Sequence, residues 1–169
     1  MTNDVIREAV AKQQSSDRKL AADNSILGKV MTFEIGDQIY GLEIQYVMEI
    51  IGVPHITKVP HVPSYIKGII NVRSKVVPVV DIRTRFGKPE IERTKRTSII
   101  TLTVDGEETT CGIIVDSVAD VEDIHTGDIS ATPDNKNVNH NEFIQYMIRG
   151  ENGVTKLILD VPKLLDEQE

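Results

Sequence analysis

The chain holds a single cysteine, Cys111, in 169 residues. With no second thiol there is no intramolecular disulfide, no CxxC redox pair and no cysteine zinc framework, which fits a reducing compartment and makes the cytoplasm the expected location. Long apolar runs are missing as well, since none approaches the ~18 residues of a membrane span. Asp4, Arg7, Glu8 and Lys12 stand where a secretory leader needs an apolar stretch. A soluble, retained protein is expected. Excess positive charge is also absent: 19 Lys and Arg face 26 Asp and Glu, for a net charge of −7, so the surface as a whole repels nucleic acid and anionic lipid. Leu and Ala are scarce, 14 together against 41 Ile and Val, the reverse of helical-bundle usage and the mark of a β protein. The length suits one average domain or two small ones sharing a core.

Catalytic signatures are missing too. No GxSxG elbow, Walker A loop, GxGxxG fingerprint or HExxH occurs, so nucleophile, phosphate-cradle and metalloprotease chemistry have no starting point. His55, His61, His125 and His140 lack the i, i+4 pairing of a zinc site and read as exposed loop residues. No metal or cofactor is expected. Cys111 lies in a predicted strand, buried and inert. Asp116, Asp120, Glu122 and Asp123 cluster around a turn, but nothing in the sequence supplies the desolvation or oriented partner that would separate their pKa values. An enzyme working through this cluster remains the alternative to a protein-binding module.

What is present is hairpin punctuation. Met31, Phe33 and Ile35 alternate up to Gly36-Asp37, and Tyr40, Leu42 and Ile44 resume the alternation, a pattern suited to a type II′ turn. Ile100, Leu102 and Val104 lead to Asp105-Gly106, with a return strand through Ile113, Ile114 and Val115; Ile144, Tyr146 and Ile148 lead to Asn152-Gly153, then Leu157 and Leu159. Between them, Ile66 to Ile82 reads as two strands around Arg73-Ser74-Lys75, with Pro78 expected at an edge or bulge because it cannot donate a ladder hydrogen bond. Ile44, Val47, Met48 and Ile51 sit at i, i+3, i+4, i+7, spacing for about two helical turns. Asp160-Val161-Pro162 suits the N-cap and early proline of a short terminal helix through Leu164 and Leu165. Residues 1–27, with only Val5, Ile6, Ala9 and Val10 as a diffuse apolar pattern, read as a mobile or weakly helical tail.

Charge is segregated along the chain. Residues 58–96 carry a net charge of +7, residues 97–169 a net −11, and the first 57 residues the remaining −3. Opposed faces of this kind steer encounter and fix orientation with a partner, unless they are merely solvated surfaces. Nucleic-acid binding through the basic stretch lacks a stacking platform, because only Tyr65 and Phe86 interleave with it.

The run Tyr65-Ile66-Lys67-Gly68-Ile69-Ile70-Asn71-Val72-Arg73, then Val77-Pro78-Val79-Val80-Asp81-Ile82-Arg83 and Phe86-Gly87, resembles the signature of the CheW family of bacterial chemotaxis coupling proteins. Phe33 to Asp37 with Tyr40-Gly41 is similar to the family's opening hairpin, Val47-Met48-Glu49-Ile50 to its V-x-E-I segment, and Gly112 to Val118 to its G-(I/L)-x-V-D-x-V strand. Leu157 to Asp160 with Lys163-Leu164-Leu165 resembles its closing strand and helix, so residues 29–165 are covered in order. One departure is Ser74, where the family has glycine; serine there carries ~1–3 kcal/mol of strain if the position needs φ > 0.

The resemblance implies an all-β fold, two packed five-stranded SH3-like β-barrels with a short C-terminal helix. It implies one CheW-like domain over 28–165, with its two barrels divided near residue 86. The implied role is a non-catalytic adaptor that couples methyl-accepting chemoreceptors to the histidine kinase CheA, with the acidic-cluster enzyme or a protein-binding β module unrelated to chemotaxis as the alternative. A chain of this length has room for neither the kinase modules nor the receiver domain of the related CheV proteins. The implied partners are the regulatory domain of CheA and the cytoplasmic tip of chemoreceptors, with the protein cytoplasmic, recruited to membrane-embedded receptor arrays and not itself inserted in the membrane. Matched positions suggest as contacts Val47, Glu49 and Ile50; Lys67, Gly68, Asn71 and Arg73; and Val115, Asp116, Val118 and Val121, whose valines suit a groove taking an amphipathic helix. For Val47 a core role, for Asn71 a turn cap and for Gly68 a backbone requirement stand equally open.

Overall fold

The computed structural model describes residues 25–106, 108–130, 141–150 and 153–165. Two sheets account for most of them. The first hairpin forms as its alternation predicts: β1 (Ile26–Ile35) pairs antiparallel with β2 (Gln38–Glu43), Phe33 opposite Tyr40 with their rings stacked at 5.8 Å. Gly36 takes φ 60°, whereas Asp37 is not among the positive-φ residues, in keeping with a type II′ turn. A 3-10 turn, Ile44–Tyr46, leads into β3 (Val47–Gly52). The expected two-turn helix is therefore a strand; the β-branched run gains more by pairing with a neighbouring strand, and a bulge at Met48 separates Val47, opposite Leu102, from Glu49, opposite Thr101.

β4 (Ile66–Val72) and β5 (Lys75–Asp81) form the central hairpin. Its turn is Arg73-Ser74, with φ 49° and 66°, so two non-glycine residues occupy the left-handed region as a type I′ turn demands. Pro78 lies in an interior strand instead of at an edge. Its opposite number, Ile69, directs its N–H and C=O away from β5 to Thr57, and pairing of β5 with its other neighbour begins only at Val79, so the ladder loses nothing at the proline. A four-residue helix, α1 (Ile82–Arg85), follows with Asp81 as its N-cap.

β6 (Ser98–Leu102) and β7 (Cys111–Val115) pair antiparallel from Ser98↔Val115 to Leu102↔Cys111. Asp105-Gly106 is not a two-residue turn. Thr103 Oγ1 donates to the Asp105 carboxylate and accepts from Gly106 N, which curls this pair into a longer connection. β8 (Ser117–His125), β9 (Ile129–Ser130), β10 (Ile144–Arg149) and β11 (Thr155–Leu159) complete the strands. Asn152 of the third turn lies outside the described residues, while Gly153 takes φ 75°. The closing helix α2 (Val161–Leu164) has Asp160 as N-cap to Lys163 N and Pro162 in its first turn.

The sheet orders are β8-β1-β2-β11-β10-β9 and β3-β6-β7-β5-β4. Five strands of the first repeat the arrangement of the second, each with one parallel pair at its centre, β2 with β11 and β5 with β7. The two-residue β9 makes the first sheet six-stranded where five were expected. The second sheet is one continuous run, β3 to β7, set between β2 and β8 of the first, with residue 86 falling between β5 and β6 of that sheet. Of the expected tail, Ile26 and Leu27 belong to β1, where Ile26 pairs with His125, and residues 1–24 lie outside the described residues.

Three apolar layers follow. One fills the first sheet (Val30, Ile124, Tyr146, Ile158), one fills the second (Ile70, Val77, Val79, Ile99), and the largest lies between the sheets. All three phenylalanines are in that shared layer, where the Phe86 ring lies tilted against Tyr40 at 5.3 Å and stacked on Phe143 at 5.8 Å. Arg83 crosses it at one side: Nε and Nη2 donate to Asp116 at 2.8 and 2.5 Å, and Asp116 also accepts from Gly36 N of the first hairpin at 2.7 Å. Arg85, from the same short helix, lies over the rings of Tyr65 and Phe143 at 4.3 and 4.7 Å. α1 thus links the barrels by both of its arginines.

The second sheet closes where the chain leaving β3 reaches β4. Thr57 and Ile69 exchange both backbone hydrogen bonds, at 2.9 and 2.8 Å. Beside this junction Gly68 has φ 146°, and a Cβ there would lie 2.2 Å from Thr57 O. Gly68→Ala should destabilise the protein by about 2–4 kcal/mol in urea unfolding, through backbone strain and lost closure. Ser74→Gly should do the opposite, adding about 1 kcal/mol by relieving a left-handed serine. An unchanged midpoint for either variant would contradict this backbone geometry.

Candidate partner-binding surface

The suggested contact residues fall in two sets, one on each sheet. On the second sheet, Glu49 lies on edge strand β3 and Arg73 at the crest of the β4–β5 hairpin; Arg73 Nε lies 3.2 Å from the Glu49 carboxylate, with side-chain exposures of 83 % and 28 %. Ile50 is 43 % exposed on the same strand, and Asn71 is exposed on β4. Val47 is half-buried against the shared core. Lys67, the extra residue of a bulge in β4, forms an ion pair with Glu90. Sequence reasoning gave no contact role to two neighbouring apolar side chains, Met48 at 42 % and Val76 at 60 % exposure. Both stand in the regions it singled out.

The first sheet carries a matching edge. β8 bulges opposite Thr32, between the pairs Met31↔Val121 and Phe33↔Val118, as β3 bulges between Val47↔Leu102 and Glu49↔Thr101. In this repeat Val118 corresponds to Val47, both half-buried against the shared core, and Val121 at 45 % exposure corresponds to Ile50. Two short edge strands therefore present an aliphatic side chain in the same way.

Three suggested contacts take other roles. Val115 is wholly buried in the shared core and offers no side chain at the surface. Gly68 is buried beneath Thr57, so its requirement is a backbone one. Asp116 is committed to Arg83 and Gly36. Burial pushes its carboxyl upward, but the Arg83 guanidinium and the Gly36 N–H outweigh that and hold it below the usual carboxylate range. The same bond raises Arg83 further. Arg83 was visible only as part of a motif; its partner is distant in sequence, and no local pattern signals the pairing.

The acidic cluster does not assemble into a catalytic pair. Asp116 is held by Arg83, Asp120 accepts from Val121 N at 2.8 Å, Glu122 pairs with Lys156, and Asp123 pairs with Lys29 at 2.8 Å. Asp123 is held low chiefly by its hydrogen bond from Lys29, so neither shifted carboxyl is a proton donor near neutral pH. A cleft of about 540 Å³ opens on the first sheet, lined by residues such as Val30, Ile39, Glu122, Asp123, His125 and Arg149; the two cluster acids in it are each paired with a lysine, and none of the suggested contacts lines it. Cys111 is buried, and burial pushes its thiol up to about 12. His55 and His61 are exposed, His125 is half-buried, and His140 lies outside the described residues. Among the described residues no group of three or more His, Cys, Asp or Glu is placed to hold a metal ion, and no helix is long and apolar enough to cross a membrane.

This geometry of paired barrels can be set beside known proteins. Residues 29–169 match the CheW-like domain. The chemotaxis protein CheW of Klebsiella aerogenes is 31 % identical over 152 residues, covering 89 % of each chain. That of Bacillus subtilis is 32 % identical over 140 residues, covering 83 % of this chain and 88 % of its own. The crystal structure of the scaffolding protein TtCheW from Thermoanaerobacter tengcongensis matches with a TM-score of 0.70 at 31 % identity, over 79 % of this chain and 88 % of that one. A shared fold, shared length and a domain match across most of the sequence lead to one conclusion: this chain belongs to the CheW-like domain family.

Proposed function

We propose that this protein is a non-catalytic adaptor of chemotaxis signalling that couples the cytoplasmic tips of chemoreceptors to the regulatory domain of the histidine kinase CheA. The observation that carries the reading is the Glu49–Arg73 pair, a half-buried carboxylate held by an exposed arginine, on a strand that also carries the exposed apolar side chains Met48 and Ile50. Exposed aliphatics suit the apolar stripe of a helical hairpin, and the charged pair supplies orientation. On this reading Glu49, Ile50, Asn71 and Arg73 form the main contact set, with Val47 at its inner margin and Lys67 at its periphery. Val118 and Val121 provide a second edge, while Gly68, Val115 and Asp116 support the surface from within. The protein works in the cytoplasm and joins receptor arrays through its partners. The rival acidic-cluster enzyme loses ground because each of its four carboxylates already has a separate partner.

Arg73→Ala is the direct test. An exposed side chain contributes little to folding, so stability should change by no more than ~0.5 kcal/mol. Loss of a charge-assisted contact of ~1.5–3 kcal/mol should weaken binding about tenfold or more. Titration calorimetry with a purified chemoreceptor cytoplasmic fragment and with the kinase regulatory domain reads both arms. A folded variant that binds both at full affinity would place the interface elsewhere.

A further inference from the structure

We propose that Thr101 is the positioning residue that fixes the β3 bulge and so aims Glu49 at Arg73. The inference rests on the reading of Glu49 and Arg73 as partner-facing. Thr101 is fully buried, and its β6 neighbours Ile99, Ile100 and Leu102 are apolar and equally buried. A hydroxyl at such a position is costly unless it is hydrogen-bonded. Its bonds are both local to the bulge: Thr101 Oγ1 accepts from Glu49 N at 3.0 Å and donates to Glu49 O at 3.1 Å. One side chain thereby holds both polar backbone groups of the residue that follows the extra residue, Met48.

The register shows what this achieves. Val47 opposes Leu102 and Glu49 opposes Thr101, so the ladder steps past Met48. Without the step, Met48 would oppose Thr101 and Glu49 would oppose Ile100, turning the carboxylate to the other face of the sheet, toward the shared core. The first sheet contains the same device. Thr32, buried on β1, donates from Oγ1 to Asp120 O at 3.1 Å and accepts from Asp120 N at 3.1 Å, bracing the bulge of β8. Two occurrences at corresponding places in the two sheets mark a built feature of the fold. Only in the second sheet does the braced acid meet an arginine from the opposite edge of its own sheet.

The test compares Thr101→Val, which removes the hydroxyl at nearly constant volume, with Thr101→Ser, which keeps it, in the full chain. Two quantities are read: amide hydrogen exchange at Glu49, and affinity for a purified chemoreceptor cytoplasmic fragment and the kinase regulatory domain. In Thr101→Val the Glu49 amide should exchange at least tenfold faster, with β6 amides unchanged, and affinity should fall fivefold or more. Thr101→Ser should stay within twofold of the parent on both. A folded Thr101→Val with parental exchange or affinity overturns the inference, as does a Thr101→Ser that loses as much as Thr101→Val. If Thr101→Val does not fold, the parent decides: Glu49 exchange as slow as that of the β6 amides supports the brace, and exchange at the rate of exposed loops overturns it. Loss of affinity in Arg73→Ala but not in a folded Thr101→Val overturns the inference alone. Unchanged affinity in Arg73→Ala overturns the partner-facing reading beneath it.

Discussion

Arg83 and Asp116 form the contact on which the arrangement of the two barrels depends. The arginine comes from the short helix after β5 in the second sheet, and the aspartate from the single residue between β7 and β8, where the chain passes back to the first. Their side chains keep only 13 % and 21 % exposure. Asp116 also accepts from Gly36, so one carboxylate joins a helix, a crossing point and a hairpin turn. A pair this sheltered is weak evidence of net stability, because desolvation offsets much of the attraction, yet losing one partner strands the other. Its value is geometric. The apolar layer between the sheets is non-directional, and the bidentate pair defines how far and at what angle they sit.

Both bulged edge strands inherit that arrangement. β3 and β8 occupy corresponding places in their sheets, each bulged and each braced by a buried threonine. The barrels are small, with interiors aliphatic apart from Tyr146, and the other aromatic rings are concentrated where the barrels meet. On the proposed function, a scaffold of this kind lowers the ordering cost of binding a helical partner at those edges.

Much of this was legible in the sequence, and the failures have identifiable causes. Alternation with a two-residue turn located β1 and β2, and the β4–β5 turn at Arg73-Ser74 fell where the run from Ile66 to Ile82 placed it. The helix expected over Ile44 to Ile51 failed because a bulge at Met48 breaks the period of two, and a broken alternation imitates helical spacing over two turns. The hairpin through Asp105-Gly106 formed, but not with a two-residue turn, because Thr103 redirects the connection, a side-chain effect no dipeptide rule contains. Pro78 was misplaced because the edge rule overlooks interior strands whose neighbour has not yet begun to pair. Of the residues the resemblance suggested as contacts, Ile50 and Arg73 are exposed and Glu49 half-buried, whereas the commitments of Val115 and Asp116 depend on contacts far apart in the chain.

The central claim is that the Arg83–Asp116 bond holds the two barrels as one unit, and the pH dependence of unfolding tests it most directly. Asp116 is held below its ordinary range in the folded state, so its contribution should be fully present above the unfolded carboxyl pKa of about 4 and disappear as pH falls through the lower folded value. Compared by urea unfolding across that range, Asp116→Asn should be less stable than the parent by about 2–4 kcal/mol near neutral pH, with Arg83 left poorly partnered. The two proteins should begin to converge as pH falls below about 4 and should meet only once pH is below the lower folded value. A difference independent of pH, or none at neutral pH, would mean that the apolar layer alone fixes the barrels and the ion pair is incidental.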